Sequence, residues 1–244
     1  MPAVTQRSWL AKSGEFQAKW WVVDASDKVV GRLAMLNRML AVGERVTRFA
    51  VGDEVYGVAP GSFAEYAAAD EEKLARKPVA LSFTQAAVVP ISAGTALQAL
   101  QDVGKVQPGQ SVLVLGASGG VGSYAVQLAK GFGAEVTGVC STAKVEFVAS
   151  LGADHVLDYT RVDFADGTRR FDLILDVAGN PSVRRLRRAL VPGGTVVLVG
   201  GENAGNLTGM SRQLRGALVS PFVRERLALF LAKERAVDYE RLTV

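Results

Sequence analysis

Short apolar runs alternate with amphipathic stretches from Ser111 onward. Ser111-Val112-Leu113-Val114-Leu115 is a run rich in β-branched residues, and its apolar centre predicts a strand covered on both faces. Ser123 to Lys130, with Tyr124, Val126, Leu128 and Ala129 apolar, predicts a helix. The alternation then repeats. Strands are predicted at Glu135–Cys140, Asp154–Tyr159, Phe171–Val177 and Thr195–Val199, the last entered by a turn at Pro192-Gly193-Gly194. Helices are predicted at Thr142–Leu151, stopped by Gly152, and at Pro181–Leu190. Strands separated by helices pair in parallel through right-handed crossovers, which gives an α/β doubly wound sheet.

The pattern before Ser111 is different. Over residues 41–80, Asp53-Glu54-Val55-Tyr56 and Phe63-Ala64-Glu65-Tyr66 alternate between Gly57, Pro60 and Gly61, as hairpin strands do. Phe83 to Ala99 reads as helix interrupted at Pro90 and Gly94. All three tryptophans (Trp9, Trp20, Trp21) fall in the first 40 residues, with Val22-Val23-Asp24 as a strand and Gly31 to Leu40 as a helix.

Ala117-Ser118-Gly119-Gly120-Val121-Gly122, between the first parallel strand and its helix, carries the strongest chemical signal. Glycines there let the backbone approach a diphosphate, whose charge rests on free N–H groups and the positive end of the helix dipole. The strand on each side and the helix between meet the context this dinucleotide-binding turn requires, the alternative being a close-packed turn with no ligand. At the end of the second strand, where a carboxylate would hold the ribose hydroxyls of NAD, the chain reads Cys140-Ser141-Thr142-Ala143-Lys144, with no acid before Glu146. Two hydroxyls and an ammonium suit a 2′-phosphate and favour NADP(H) over NAD(H). The same residues also read as a capped helix start with Lys144 in solvent, and both can hold.

Composition adds limits. Among 244 residues, one cysteine excludes an intrachain disulfide, and one cysteine with one histidine falls short of the three or so protein ligands of a catalytic zinc. Cys140 reads as a small buried hydrophobe and His155 as a strand residue with its hydrogen bond satisfied. The net charge of +4 suits an anionic cofactor and does not demand nucleic acid. Arg184-Arg185-Leu186-Arg187-Arg188 reads as a solvated helix face with Leu186 and Leu190 inward, an RNA-binding patch being the alternative. No apolar run reaches bilayer length and no signal-peptide core is evident, so a cytoplasmic, membrane-free protein is expected.

Residues 41 to about 238 resemble the zinc-independent, quinone oxidoreductase-like branch of the medium-chain dehydrogenase/reductases. The likeness is carried by Val51-Gly52-Asp53-Glu54-Val55-Tyr56-Gly57, Gly61 to Tyr66, Ser92-Ala93-Gly94-Thr95-Ala96, Gly116 to Gly122, Leu151-Gly152-Ala153-Asp154 and Phe171-Asp172. It implies an incomplete GroES-like β domain over residues 41–95 and a Rossmann-type NADP-binding domain over 96–244. Hydride would pass between the nicotinamide and a small carbonyl, quinone or enone. Implied for the site are Thr95 near the nicotinamide, Ser141, Thr142 and Lys144 on the 2′-phosphate, and Tyr159 near the adenosine. Val177, Ala178, Gly179, Val199 and Gly200 would line the strand-end crevice; no catalytic acid is identifiable. In relatives the apolar segment Leu218–Leu231 lies near a sheet edge used in dimerisation, though a plain core strand and helix fits as well.

Residues 1–40 resemble instead the start of bacterial ribosomal protein L13, through Lys19-Trp20-Trp21-Val22-Val23-Asp24-Ala25 and Gly31-Arg32-Leu33-Ala34. Together the two resemblances imply a composite chain shortened at its C-terminal end, with one wall of the substrate pocket lost and turnover poor. An rRNA-binding component and an inactive chimera that only binds cofactor are the alternatives.

Overall fold

The computed structural model describes residues 22–24, 34–62, 66–199 and 224–243. The chain divides into two compact units, Met1–Gly94 with Lys233–Val244 and Thr95–Ala232.

The first unit is built on a five-stranded antiparallel sheet: β1 (Val22–Asp24), β2 (Ala34–Ala41), β3 (Glu54–Val58), β4 (Tyr66–Ala67) and β5 (Leu74–Arg76), in the order β4-β1-β2-β3-β5. The helix expected over Gly31–Leu40 is corrected here, because Ala34–Ala41 is a strand paired with β3 and β1. Its helix-forming residues are overridden by that pairing, and burial follows the period of a strand: Met39 is buried while Arg38 and Leu40 face solvent. Both faces of β3 are covered. Val55 packs with Met39, Phe49 and Leu74, and Tyr56 packs with Val58, Ala75, Ala86 and Tyr239.

Helix α1 (Phe83–Ala87) starts at a capping box, in which Ser82 accepts from the Gln85 N–H and the Gln85 side chain accepts from the Ser82 N–H. Helix α2 is Val89–Gln98, so the break falls at Val88 and not at Pro90 or Gly94. Pro90 sits in the first turn of α2, where no N–H partner is needed. Gly94 continues the helix against the Tyr239 ring, where an added Cβ would lie 3.4 Å from a ring carbon. The C-terminal helix α6 (Ala236–Arg241) belongs to this unit. Tyr56 Oη donates to the Tyr239 carbonyl at 2.7 Å, and burial, with the charge of Glu240, pushes the Tyr56 phenol up to about 12.

The second unit is a six-stranded parallel sheet with helices. Its elements are β6 (Ser111–Leu115), α3 (Gly120–Gly131), β7 (Glu135–Cys140), α4 (Val145–Ser150), β8 (His155–Asp158), β9 (Phe171–Asp176), α5 (Val183–Arg188), β10 (Leu190–Leu198) and β11 (Arg226–Leu229). The order β11-β10-β9-β6-β7-β8 reverses direction at β6, as in the doubly wound dinucleotide-binding fold, so the α/β class read from the sequence holds. One turn is relocated. Pro192-Gly193-Gly194 does not precede the last predicted strand but forms an irregularity inside β10, where pairing with β9 jumps from Leu190 to Thr195 and Gly193 takes φ +82°. Leu186 and Leu190 are buried, while Arg185 pairs with Asp163 and Arg187 with Glu225 on the outer face of α5. Within the Leu218–Leu231 segment, residues 226–229 form the outer strand β11, and 218–223 lie outside the described residues.

Two carboxylates tie the sheet together. Asp172 accepts from the Ser111 N–H and hydroxyl, joining β9 to the start of β6. Asp154 accepts from Lys130 Nζ at 2.7 and 2.8 Å and from the Val136 N–H at 2.7 Å, joining the end of α3 to β7. The Lys130 bond first, then the Val136 N–H, hold the Asp154 carboxyl below the ordinary range. A carboxyl depressed on folding stabilises above its unfolded pKa, about 3.9, and loses that contribution as pH falls through the folded value. Asp154→Ala is therefore expected to cost about 1 kcal/mol at neutral pH, the partners being partly exposed. Denaturant unfolding of both proteins across pH should show the difference shrinking below about pH 4.

Candidate dinucleotide site

The turn from β6 to α3 brings backbone closer to backbone than any side chain allows. Gly116 takes φ +81°, and its carbonyl accepts from the Gly119 N–H at 3.0 Å. A Cβ built on Gly122 would stand 2.1 Å from the Gly116 oxygen and 2.9 Å from Ala117 Cα. Gly119 caps α3 in an extended conformation with no side-chain bond, and the first intrahelical bond runs from Ser123 N to Gly119 O. The N–H groups of Gly120, Val121 and Gly122 thus precede the helical ladder and form the positive end of a twelve-residue helix. Free N–H groups so arranged can hold a phosphate group, and only glycine fits at position 122.

The turn lies where the strand order reverses. Ala178 packs 3.2 Å from the position a Gly116 Cβ would take, and the Val177 and Ala178 N–H groups both bond to the Leu115 carbonyl at 3.2 Å. Gly179 donates to Asp176 Oδ1, and Val199 donates to the Asp176 carbonyl. The structure thereby brings Ala117–Gly122, Val177–Gly179 and Val199 to the same strand ends. Val177 and Val199 are half-buried against the core under α3 and serve packing as well. Thr95 lies within α2, half-buried; Gly200 lies outside the described residues.

At the end of β7, Ser141 starts a single 3₁₀ turn, Thr142–Lys144, and its carbonyl accepts from the Lys144 N–H. The Ser141 side chain makes no capping bond, so a hydroxyl-capped helix start is not what holds this turn. Thr142, Lys144 and Tyr159 are exposed. Asp158 on β8 is the residue the sequence reading passed over. Its Oδ2 accepts the Thr142 hydroxyl proton at 2.6 Å, and its Oδ1 accepts the Thr160 N–H at 2.9 Å and hydroxyl at 2.7 Å. These hydroxyl bonds, Thr142 first and Thr160 second, hold the Asp158 carboxyl below its usual range. Thr142, expected with Ser141 and Lys144 on the 2′-phosphate, has its hydroxyl bonded to Asp158 Oδ2 and 3.2 Å from the Thr160 hydroxyl.

Cys140 is buried at the end of β7, and burial, with the charge of Asp158, pushes its thiol up. His155 Nε2 lies 3.0 Å from Glu135 Oε1, a satisfied strand histidine. Among the described residues no three His, Cys, Asp or Glu side chains stand together in reach of one ion, and no helix is long and apolar enough to cross a membrane.

The fold and the glycine cradle define a doubly wound domain of the dinucleotide-binding class. Residues 120–228 match the family described as zinc-binding dehydrogenase. The chain is 41% identical over 175 residues to 2-methylene-furan-3-one reductase of Solanum lycopersicum, covering 67% of this chain and 44% of that protein. It is 36% identical over 197 residues to the chloroplastic NADPH-dependent alkenal/one oxidoreductase of Arabidopsis thaliana, covering 76% and 50%. The chain thus spans half or less of these curated relatives. Among solved structures, the quinone oxidoreductase from Coxiella burnetii superposes with a TM-score of 0.76 at 28% identity, over 88% of this chain and 66% of that one.

Proposed function

We propose that the chain binds NADP(H) and serves an oxidoreductase that reduces a small carbonyl, quinone or enone. The observation that carries this reading is the approach of Gly122 to the Gly116 carbonyl, which leaves the first N–H groups of α3 facing a space that a phosphate fills. The names of the tomato, Arabidopsis and Coxiella relatives support the reaction class. NADPH, when bound, supplies the hydride; the protein binds, orients and keeps water away. The Ala117–Gly122 backbone holds the diphosphate, and Val177–Gly179 with Val199 form the wall along which the dinucleotide extends towards Thr95. Ser141 and Lys144 meet the 2′-phosphate, with Tyr159 beside the adenosine.

The Lys144 ammonium tests this arrangement. Losing a charge-assisted contact costs on the order of 1–3 kcal/mol, so Lys144→Ala should weaken NADPH binding about ten- to a hundredfold. NADH binding should change by no more than about twofold, since NADH lacks the phosphate this cation meets. Calorimetric titration with both cofactors decides it, and equal losses would refute the placement.

We further propose that no zinc takes part. The single cysteine is buried with a raised thiol, and the single histidine is engaged by Glu135, which leaves no set of three conventional ligands among the described residues. One tightly bound zinc per chain in elemental analysis would overturn this. We infer that the L13-like segment serves the antiparallel sheet and not RNA binding, since its described strands β1 and β2 pair with each other, with β4 and with β3. That sheet is best read as part of a GroES-like domain.

A further inference from the structure

Beside the adenosine end of the site the Thr142 and Thr160 hydroxyl oxygens stand 3.2 Å apart, and each lies within donating distance of Asp158, at 2.6 and 2.7 Å. Asp158 takes the protons of both Thr142 and Thr160, and Arg161 Nε stands 3.7 Å from its Oδ2. A hydroxyl has one proton; with it on Asp158 Oδ2, Thr142 presents lone pairs to the Thr160 hydroxyl and to what approaches from solvent. A ribose 2′-hydroxyl can donate to such an oxygen; a phosphate, which brings no proton of its own when ionised, cannot be bonded by it. The Asp158 side chain is only 11% exposed, so the threonines and not water are its main partners.

We propose that Asp158 is a specificity-setting positioning residue: by taking the Thr142 proton it turns Thr142 into an acceptor for the cofactor's ribose hydroxyl and restrains the preference for NADPH over NADH. The inference rests on the dinucleotide reading above and names a residue that acts through Thr142, without itself touching the cofactor. Exchange of Asp158 for asparagine preserves the shape and the acceptor for Thr160. Its amide then donates to Thr142, whose proton is released to point outward, towards the phosphate. A negative charge near the phosphate is removed in the same step.

The test titrates the wild-type chain, Asp158→Asn, Thr142→Val and the double variant with NADPH and NADH, following intrinsic fluorescence or heat, with thermal unfolding as a check on folding. In Asp158→Asn the NADPH/NADH affinity ratio should rise about tenfold, mainly through tighter NADPH. In the Thr142→Val background the same exchange should give only the roughly twofold change that loss of a screened charge produces. A ratio unchanged in Asp158→Asn, with both affinities lowered together, assigns Asp158 a purely structural role and overturns the proposal. A tenfold rise that persists without the Thr142 hydroxyl overturns it as well. Wild-type chain that binds neither cofactor would instead remove the dinucleotide reading, and this inference with it.

Discussion

Gly122→Ala is expected to destabilise the second unit by about 3 kcal/mol or more, the upper part of the range for overpacked sites. The added carbon would stand 2.1 Å from the Gly116 oxygen and 2.8 Å from its carbonyl carbon, both backbone atoms at the end of the central strand. No rotamer change relieves such a contact, so α3 must move off the sheet. That movement would also withdraw Ala125, Val126 and Ala129 from the core they share with Val112 and Val114. Gly131, in the last turn of the same helix, is the control. A Cβ there meets nothing within 4 Å, so Gly131→Ala should stabilise by roughly 0.5–1 kcal/mol through the unfolded chain's lost freedom. Opposite signs for two glycine-to-alanine exchanges in one helix, read by denaturant unfolding, would locate the effect in the turn. A Gly122→Ala protein as stable as wild type would show that α3 does not approach β6 as described.

What could be read along the chain was what is decided locally. The unit from Ser111 through Gly122 to Cys140 carries its strand pattern, its turn glycines and its helix pattern within one stretch, and each points to the same structure. Gly31–Leu40 failed because alanine, methionine, leucine and arginine favour helix while the deciding partner, β3, lies further along the chain. The return of residues 233–244 to the first unit was equally illegible, since Tyr239 meets Tyr56 across 183 positions. In the site, the end of β7 and the turn after it, Cys140 to Lys144, carry no carboxylate. The acid that bonds Thr142, Asp158, comes from the neighbouring strand, sixteen residues beyond that threonine. The signal was present in the third predicted strand, which ends Leu157-Asp158-Tyr159. In a parallel sheet the ends of adjacent strands share one rim, so Asp158 could have been set beside Ser141 and Thr142.

Gly119→Asp should leave the protein folded while abolishing tight NADPH binding. Gly119 is the N-cap of α3, with φ −80° and ψ 174°, a conformation open to any residue, and its Cβ would meet only the Gly116 oxygen at an ordinary 3.4 Å. Aspartate is among the best N-cap residues, because its carboxylate accepts from the second or third helical N–H and sits on the positive end of the dipole; relative to glycine it gains a few tenths of a kcal/mol. The thermal midpoint should therefore hold or rise. The same carboxylate occupies the N–H groups that the diphosphate needs and sets a negative charge against it. Each charge-assisted bond lost is worth about 1.5–3 kcal/mol, so the loss of two weakens NADPH at least about a hundredfold. Gly119→Asn separates the two effects, since it caps nearly as well without the charge and should lose less affinity. Because the diphosphate is common to both cofactors, NADH must weaken in parallel, unlike the selective loss expected at Lys144. Calorimetry of both cofactors together with thermal unfolding measures each arm, and near-wild-type NADPH affinity in a fully folded Gly119→Asp protein would mean that the cofactor does not use this turn.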